Sequence, residues 1–394
     1  MARLGDIATV ITKGTTPTSI GFAFENDGIN FVKIESVDEN GNFICEKFDH
    51  ISDECHEKLK RSQLQENDIL FSIAGAIGRT AIVTKDILPA NTNQALAIIR
   101  IPQGAINYSF LLYILQSSVV LEQAEKKKQG VAQLNLSLKD IGDFIIPDIP
   151  LEEQQCIVDS LDKVSNLISL RKQQLSKLDE LVKSRFIEMF GDPVKNDMGW
   201  KTTLLKNATS KIGSGATPKG GKESYQEEGI TLIRSMNVHD GRFEYKDLAH
   251  ITDEQAEQLD NVTVKENDVF INITGASVAR SCIVPNHILP ARVNQHVAII
   301  RCITSMLNPV FANNMFLNTS FKGQLLNIGE SGGATRQAIT KQQLETLEVI
   351  LPPIESQEQF ATFIEQTDKS KFEIQKSLEK LETLKKALMQ QYFG

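Results

Sequence analysis

Two patterns of apolar and polar positions alternate along the chain. Residues 1 to about 150 hold short β-rich runs between turn residues, such as INFVKIESV from Ile29 and DILFSIAG from Asp68. They also hold one helical stretch from residue 108 to about residue 128. Short runs of this kind, bounded by turn signals, are typical of strands. The segment therefore predicts an α+β domain.

The residues after Pro150 follow a different pattern. Residues 151–190 contain no glycine or proline, and apolar side chains recur every seven positions, at Leu161, Ile168, Leu175, Val182 and Met189. A second line runs through Ile157, Val164 and Leu178 and is interrupted by Arg171 and Arg185. Heptads of this kind are typical of a coiled-coil seam. At about 1.5 Å per residue the helix is about 60 Å long, so we expect a rod that holds two domains apart.

The sequence repeats itself with an offset of about 200 residues. ILPANTNQALAIIR from Ile87 matches ILPARVNQHVAIIR from Ile288 at ten of fourteen positions, and HISDE at His50 returns as HITDE at His250. Such a repeat indicates a duplicated structural unit. We predict a first domain at residues 1–150, a spacer helix at 151–190, a second domain at 191–353 and a second spacer helix at 354–394.

The two predicted helices have complementary defects in their seams. The second helix has Ile374 and Leu388 where the first has Arg171 and Arg185, and it has Lys371 and Lys385 where the first has Ile168 and Val182. We expect two long helices that pack on each other as an antiparallel coiled coil, which relates the two similar domains by a pseudo-two-fold axis. The alternative is that each helix packs separately on its own domain.

Composition excludes several classes of protein. The chain is 41% apolar, which is enough for ordinary packed cores, and its longest apolar runs are too short to span a bilayer. Five cysteines without a CxxC pair favour buried thiols over a metal site or disulfides. The first residues lack the pattern of a secretion signal. We therefore expect a cytoplasmic protein that contacts no membrane and holds no metal.

The net charge of −8 argues at first against nucleic acid, but the charges are unevenly distributed. Twelve acidic residues lie between Glu25 and Asp68, and twelve more between Glu223 and Asp268. In contrast, residues 269–329 contain no acid but hold four basic residues, and residues 199–222 contain five lysines and no acid. We expect each domain to have one acidic and one basic face, and the basic face suits DNA.

The acid-poor loops contain side chains suited to phosphates and bases. Backbone N–H groups and hydroxyls of the loops KGTTPT and GSGATPKGGK are suited to phosphate oxygens, and the Asn-Gln pairs at Asn93 and Asn294 are suited to adenine. The alternative for the Asn-Gln pairs is that they close a turn before a strand. In the first domain the predicted DNA-binding residues are Lys13, Thr15, Thr16, Arg79, Asn91, Asn93 and Gln94. In the second domain they are Lys211, Thr217, Lys219, Lys222, Arg280, Arg292, Asn294 and Gln295.

Catalytic and cofactor-binding patterns are missing from the sequence. The glycine-rich loops are not P-loops, because the lysine after Gly221 is misplaced and no hydroxyl follows it. There is no GxGxxG or [DN]PP[YF] motif, and the six histidines are scattered. The sequence thus predicts a binding protein without a cofactor of its own.

Two variable domains that alternate with two long helices resemble the specificity subunit of type I restriction-modification enzymes. Further resemblance lies in LEEQQCIVDSLDKV from Leu151 and PPIESQEQFATFIEQ from Pro352, at the two helix starts. The resemblance covers essentially the whole chain. It implies a non-catalytic subunit whose two target-recognition domains each read one half of a bipartite, asymmetric double-stranded DNA target. It also implies that two methyltransferase subunits dock on the helices, that restriction/translocase subunits join the full complex, and that S-adenosylmethionine and ATP bind to these partners.

Two other functions fit the same residues. The twin domains are also suited to a scaffold that binds two proteins and no DNA, which binding to random duplex DNA at several salt concentrations distinguishes. The chain is also suited to a DNA-binding regulator that needs no methyltransferase. The solubility and sequence specificity of the purified chain on its own distinguish that function.

Overall fold

The structure is a computed structural model that describes residues 1–127, 135–218, 220–330 and 337–394, apart from the side chains of Lys222 and Ser224. It divides into two compact units. The first unit consists of Met1–Lys172 and Lys376–Gly394, and the second unit of Gln173–Gln375. We refer to their globular parts as the first and second domains. Within the described residues, no helix is both long and apolar enough to cross a membrane.

The first domain combines three small sheets with short helices. Its strands are β1 (Ala2–Arg3), β2 (Val10–Lys13), β3 (Ile29–Val32), β4 (Asp49–Ile51), β5 (Ile69–Ser72), β6 (Thr80–Ile82), β7 (Ala90–Thr92), β8 (Leu96–Arg100) and β9 (Ile145–Ile146). Its helices are α1 (Leu4–Ile7), α2 (Asp53–Lys58), α3 (Tyr108–Gln116), α4 (Ser118–Lys127) and α5 (Leu138–Gly142). The sheets have the strand orders β2-β8-β5-β6, β4-β3-β7 and β1-β9.

The second domain follows the long helix α6 (Leu151–Phe190) and repeats this arrangement. Its strands are β10 (Lys201–Leu204), β11 (Thr209–Ser214), β12 (Ile230–Ile233), β13 (Val238–His239), β14 (Arg242–Phe243), β15 (Ala249–Ile251), β16 (Val269–Asn272), β17 (Ser281–Ile283), β18 (Ala291–Val293), β19 (Val297–Cys302) and β20 (Glu348–Leu351). The remaining helices are α7 (Asp253–Glu257), α8 (Pro309–Leu317), α9 (Thr319–Glu330), α10 (Lys341–Glu345) and α11 (Ile354–Phe393). The sheet orders β11-β19-β16-β17, β15-β12-β18 and β10-β20 match those of the first domain, and β13-β14 is an additional pair.

The central strands are apolar on both faces because each face covers a separate core. All four residues of β5 are buried; Ile69 and Phe71 belong to one apolar cluster and Leu70 to another. In β16, Val269 and Ile271 face one cluster and Phe270 faces the other. Side chains alternate between the faces of a strand, so a continuous apolar run is what a strand between two cores requires.

The two long helices pack against each other within each unit. In the first unit Lys172 pairs with Glu382, and in the second unit Lys371 Nζ lies 2.6 Å from Asp179 Oδ1 and Phe186 packs on Phe360. The late part of one helix thus meets the early part of the other, which is antiparallel. The predicted fold class, an α+β internal repeat with two long antiparallel helices, is confirmed, and the alternative of separately packed helices is wrong.

The single helical stretch predicted for residues 108–128 is instead two helices. The first, α3, ends before Ser117, whose backbone is extended with φ −73° and ψ 156°. Ser117 Oγ and its backbone N–H both donate to the Ile114 carbonyl, at 2.6 and 2.9 Å. A serine hydroxyl that competes for a helix carbonyl ends the helix here. The predicted residue 128 lies outside the described residues.

Candidate nucleic-acid interface

A parallel strand pair in each domain brings two loops to one edge. Val32 at the end of β3 is level with Thr92 at the end of β7, so Lys33 and Asn93 follow side by side. In the second domain Ile233 is level with Val293, and Arg234 and Asn294 follow. The carboxyl ends of parallel strands are where open sheets present binding loops.

A third loop packs directly on this edge, and it needs a glycine to do so. The backbone N–H of Thr15 donates to the Thr92 carbonyl at 3.2 Å. A Cβ on Gly14 would lie 1.8 Å from Thr92 O, and one on Gly215 would lie 1.8 Å from Val293 O. No side chain fits at such distances, so both domains require glycine at this position. We call residues 14–16 with 93–94, and residues 215–217 with 294–295, the loop edge of each domain.

A threonine and a glutamine meet across the loop edge in both domains. Thr16 Oγ1 donates to Gln94 Oε1, and Thr217 Oγ1 donates to Gln295 Oε1. Both glutamines are exposed. Because the carboxamide oxygen accepts from the hydroxyl, the NH2 group is the donor that each exposed glutamine can offer to a base edge or a phosphate oxygen.

The asparagine before each glutamine has a structural role. Asn93 Oδ1 accepts from the Ala95 N–H at 3.1 Å, and Asn294 Oδ1 accepts from the His296 N–H at 3.0 Å. These contacts close the turn into β8 and β19, as an Asx turn does. The turn-closing alternative therefore describes the asparagines, and the adjacent glutamines are the outward-facing members of each pair.

The structure contradicts an exposed position for Asn91 and Arg292. Asn91 is fully buried, and its Nδ2 donates to the Leu59 carbonyl at 3.1 Å and to Ser62 Oγ at 3.0 Å. Arg292 is 9% exposed, and its Nε donates to the Ala256 carbonyl at 3.0 Å. Both residues lie in the middle of a three-residue strand and point into the domain, where they tie down a neighbouring segment. Both side chains are therefore buried within their domain and not exposed on its surface.

The other predicted cations occupy varied positions. Lys13 is exposed at the end of β2. Arg79 is half-buried and donates to the carbonyls of Ile34 and Val37 at 3.2 and 2.9 Å, and Arg280 NH1 lies 3.5 Å from His239 Nδ1. Lys211 Nζ donates to the Asn261 carbonyl. Lys219 and the side chain of Lys222 lie outside the described part of the chain.

Sequence reasoning missed a cation over an aromatic ring beside each loop edge. Lys33 Nζ lies 4.8 Å from the centre of the Phe24 ring, and the Arg234 guanidinium lies 5.3 Å from that of Tyr225. Lys33, Tyr225 and Arg234 lie inside the acid-rich blocks and Phe24 directly precedes one, so the charge distribution alone does not point to these pairs. The signal that finds them is the common offset, since the second pair follows the first by 201 residues.

The loop edges thus hold hydroxyls and carboxamides, and a cation lies beside each of them. Among the residues that the structure describes, no group of three or more His, Cys, Asp or Glu side chains is placed to hold a metal ion. The side chains present are suited to hydrogen bonds with phosphates and base edges.

Comparison with known proteins identifies related sequences along the whole chain. The family model described as type I restriction modification DNA specificity domain matches residues 1–180 and 200–386. The chain is 33% identical over 170 residues to the type I restriction enzyme EcoBI specificity subunit of Escherichia coli; this alignment covers 42% of the chain but only 35% of that relative. It is 21% identical over 342 residues to the type I restriction enzyme MjaVIII specificity subunit of Methanocaldococcus jannaschii, covering 83% of the chain and 78% of the relative.

Solved structures share the fold over the full chain. A chain from a study of complex assembly and conformational transition of the type I R-M system superposes with a TM-score of 0.61 at 19% identity, covering 100% of this chain and 96% of that one. The S subunit of a type I restriction-modification system from M. genitalium superposes with a TM-score of 0.55 at 13% identity, covering 100% and 95%. At these identities the likeness shows the fold alone.

Proposed function

This chain belongs to the type I restriction modification DNA specificity family, and from that premise we propose that it is the DNA sequence-recognition subunit of a type I restriction-modification complex. In this role each domain reads one half of a bipartite, asymmetric duplex target. The chain itself is non-catalytic. S-adenosylmethionine and ATP bind to partner subunits.

One observation carries the proposal. The two loop edges share a backbone frame and the Thr–Gln contact but differ in the side chains around it. Lys33 and Phe24 of the first domain correspond to Arg234 and Tyr225 of the second. Arginine presents a planar fork to guanine or phosphate, whereas lysine is a point charge. A common frame with different side chains is suited to two half-sites of different sequence.

The long helices carry apolar side chains suited to partner subunits. Residues that face away from the seam include Leu170, which is 54% exposed, and Phe372, which is 65% exposed. Further exposed leucine and isoleucine side chains are Leu167, Leu181, Ile187 and Leu384. Large apolar side chains left exposed along both helices are suited to packing against a partner protein. We assign them to two methyltransferase subunits, with restriction/translocase subunits completing the assembly.

Selection from a pool of random duplex DNA tests the proposal. The full chain, alone and with methyltransferase subunits from the same host, is incubated with the pool, and bound duplexes are sequenced. We expect two different conserved half-sites separated by unread base pairs, and methylated adenines in the host genome at the same sequences. Absence of binding to any duplex at 50 mM salt or below would instead favour the protein scaffold. Methyl transfer by the isolated chain would contradict the non-catalytic assignment.

A further inference from the structure

A short 3-10 helix lies beside the loop edge at the same place in each domain. It spans Lys60–Ser62 in the first domain and Asp260–Val262 in the second. The segment that follows it pairs with the strand leading into the Asn-Gln turn, through Leu64 N to the Ala90 carbonyl at 2.9 Å and Val264 N to the Ala291 carbonyl at 3.0 Å. Both 3-10 helices are therefore fixed against the loop edge.

In each domain an arginine bonds both to a buried aspartate and to the backbone carbonyl of the residue that follows the 3-10 helix. The Arg100 guanidinium donates two bonds of 2.7 Å to Asp68, and that of Arg301 donates bonds of 2.7 and 2.8 Å to Asp268. Both aspartates are fully buried. Bidentate contacts of this kind fix geometry strongly. The two 3-10 helices thus have matching backbones, and any difference between them lies in their side chains.

The exposed side chains of the two 3-10 helices differ in charge. The first domain has the exposed pair Lys60 and Arg61, and the second has Asp260 and Asn261 in the same places. The exchange reverses the charge at one position and removes a cation at the other.

A cation nevertheless spans the same junction in both domains. In the first domain Arg61 NH2 reaches from the 3-10 helix to Thr12 Oγ1 of β2, at 3.4 Å. In the second domain Lys211 reaches in the opposite direction, from β11 to the Asn261 carbonyl. Lys211 pairs with Arg301 in the sheet as Val10 pairs with Arg100, so the first domain has valine where the second has this lysine. Positive charge is kept at the junction while the residue that supplies it changes.

We propose that this junction is where each domain contacts a DNA phosphate, with Lys60 and Arg61 as the contacts in the first domain and Lys211 as the contact in the second. The inference rests on the proposed function and names the residues that hold the DNA backbone beside each loop edge. The contact between the 3-10 helix and the strand accounts for the presence of Arg61 in the first domain. It does not account for the second exposed cation, Lys60. The first domain accordingly makes the larger salt-dependent contribution.

The test measures the salt dependence of binding to a random-sequence duplex by the full chain. Each phosphate contact contributes about 0.9 to the slope of log K against log salt. K60A/R61A should lower the slope by about 1.8, so its affinity loss should be roughly tenfold greater at 50 mM than at 200 mM salt. K211A should lower the slope by about 0.9. The matched control K47A/K139A removes two exposed lysines elsewhere in the first domain and should leave the slope near that of the unaltered chain.

A converse variant, D260K/N261R, places the cations of the first domain in the second and should raise the slope. Unchanged slopes for K60A/R61A and D260K/N261R, with DNA still bound, overturn the inference and leave the proposed function standing. Equal changes for K60A/R61A and K47A/K139A also overturn it, because they reflect net charge alone. If the unaltered chain binds no DNA at all, the proposed function itself is contradicted. A shifted unfolding midpoint for K211A without a change of slope assigns Lys211 to the structural tie.

Discussion

The side chains that pack at the ends of the long helices differ between the two units. In the second unit five ring pairs, with centroids 4.7 to 5.6 Å apart, join Phe186, Phe190, Phe311 and Phe360. In the first unit the corresponding positions hold Met389, Phe393, Phe110 and Ile157, and the one ring pair among them is Phe110 with Phe393, at 5.6 Å. The second unit therefore relies more on aromatic packing.

The first unit instead buries a polar contact at its helix ends. Tyr113 Oη donates to Asp162 Oδ1 at 2.6 Å, and Lys385 Nζ lies 5.8 Å from the Tyr113 ring centre. Burial, together with the hydrogen bond to Asp162, raises the pKa of Tyr113 to about 12. Burial also lowers the pKa of Lys385. The second unit has Val182 at the position of Lys385, and its Asn314 bonds within its own helix.

The contacts that set the backbone are the same in both units. Gln154 Oε1 accepts from the Asn107 N–H and Gln357 Oε1 from the Asn308 N–H, each at 2.8 Å, and both glutamines are buried. The shared frame thus depends on a few glycines and buried hydrogen bonds. Side chains that fill the core or face outward are free to differ once these are kept.

The largest expected effect comes from the aromatic cluster. Phe190→Ala should destabilise the second unit by about 3–5 kcal/mol, because it leaves a cavity among three rings. The measurement is the urea midpoint followed by Trp200 fluorescence, since Trp200 Nε1 donates to the Phe190 carbonyl at 3.0 Å. The matched change Phe393→Ala, followed by circular dichroism, should cost less because, among the corresponding positions, Phe393 packs on one ring where Phe190 packs on three. Equal losses would remove the contrast between the units.

Loop-edge glycines should respond alike in both domains. Gly14→Ala and Gly215→Ala should each cost about 1–3 kcal/mol, because the added Cβ displaces one loop from the other. DNA binding should weaken with each. Thermal unfolding and duplex binding measure the two effects. A variant that keeps both full stability and full binding would show that the close approach is not required.

Replacing Arg292 by the asparagine of the first domain tests whether the Arg292 side chain has a structural role. R292N should lower stability by about 1–3 kcal/mol, because a shorter side chain leaves the Ala256 carbonyl without its donor. The selected DNA sequence should stay unchanged. Relaxed selection at one base position with unaltered stability would return Arg292 to the DNA-facing surface.

The contact between Tyr113 and Asp162 in the first unit should make the stability of the fold depend on pH in the alkaline range. The pKa of Tyr113 is about 12 in the folded chain, whereas an exposed tyrosine has a pKa of about 10, so the folded state keeps the proton more strongly. Its contribution is complete below about pH 10 and is lost as pH rises to about 12. Tyr113→Phe should cost about 1 kcal/mol at neutral pH and should reduce this alkaline fall. Urea unfolding at several pH values measures both, with Asp162→Asn as the control that keeps an acceptor.

The smallest effect on stability is expected at the exposed glutamines. Gln94→Ala and Gln295→Ala should each change stability by less than about 0.5 kcal/mol. Each should relax selection at one position of one half-site, where a good base contact contributes about 1–3 kcal/mol of discrimination. Selection from random duplexes distinguishes the two variants. A uniform loss of affinity on all sequences would make the glutamines phosphate contacts.

The seam of the long helices was predictable because its signal is local and periodic. Leu161 and Val164 are buried where the two heptad lines place them, and Arg171 and Arg185 are half-buried on the line of Val164. The contacts of the cations in the seam were not predictable, since they depend on which residues of the other helix lie opposite. Lys371 pairs with Asp179, and the Arg185 guanidinium lies 5.9 Å from the Phe363 ring centre.

The loop edge was predictable only in part. The repeat and the acid-free loops pointed to Thr16, Gln94 and their counterparts, which the structure brings together. The same reasoning included Asn91, whose direction depends on the segment that pairs with it at Gln63. A three-residue strand has too little alternation to show which side chain faces inward.

The sequence by itself determined the duplicated plan, the long helices and the loops that hold candidate DNA contacts. These follow from periodicity, offset and charge distribution, which are properties of neighbours along the chain. Only the tertiary structure decided that Arg292 is buried, that Lys33 and Arg234 lie beside the loop edges, and that Arg61 and Lys211 occupy the same junction from opposite sides. Which way a side chain points, and which distant residue it meets, depends on strand pairing between segments far apart in the chain.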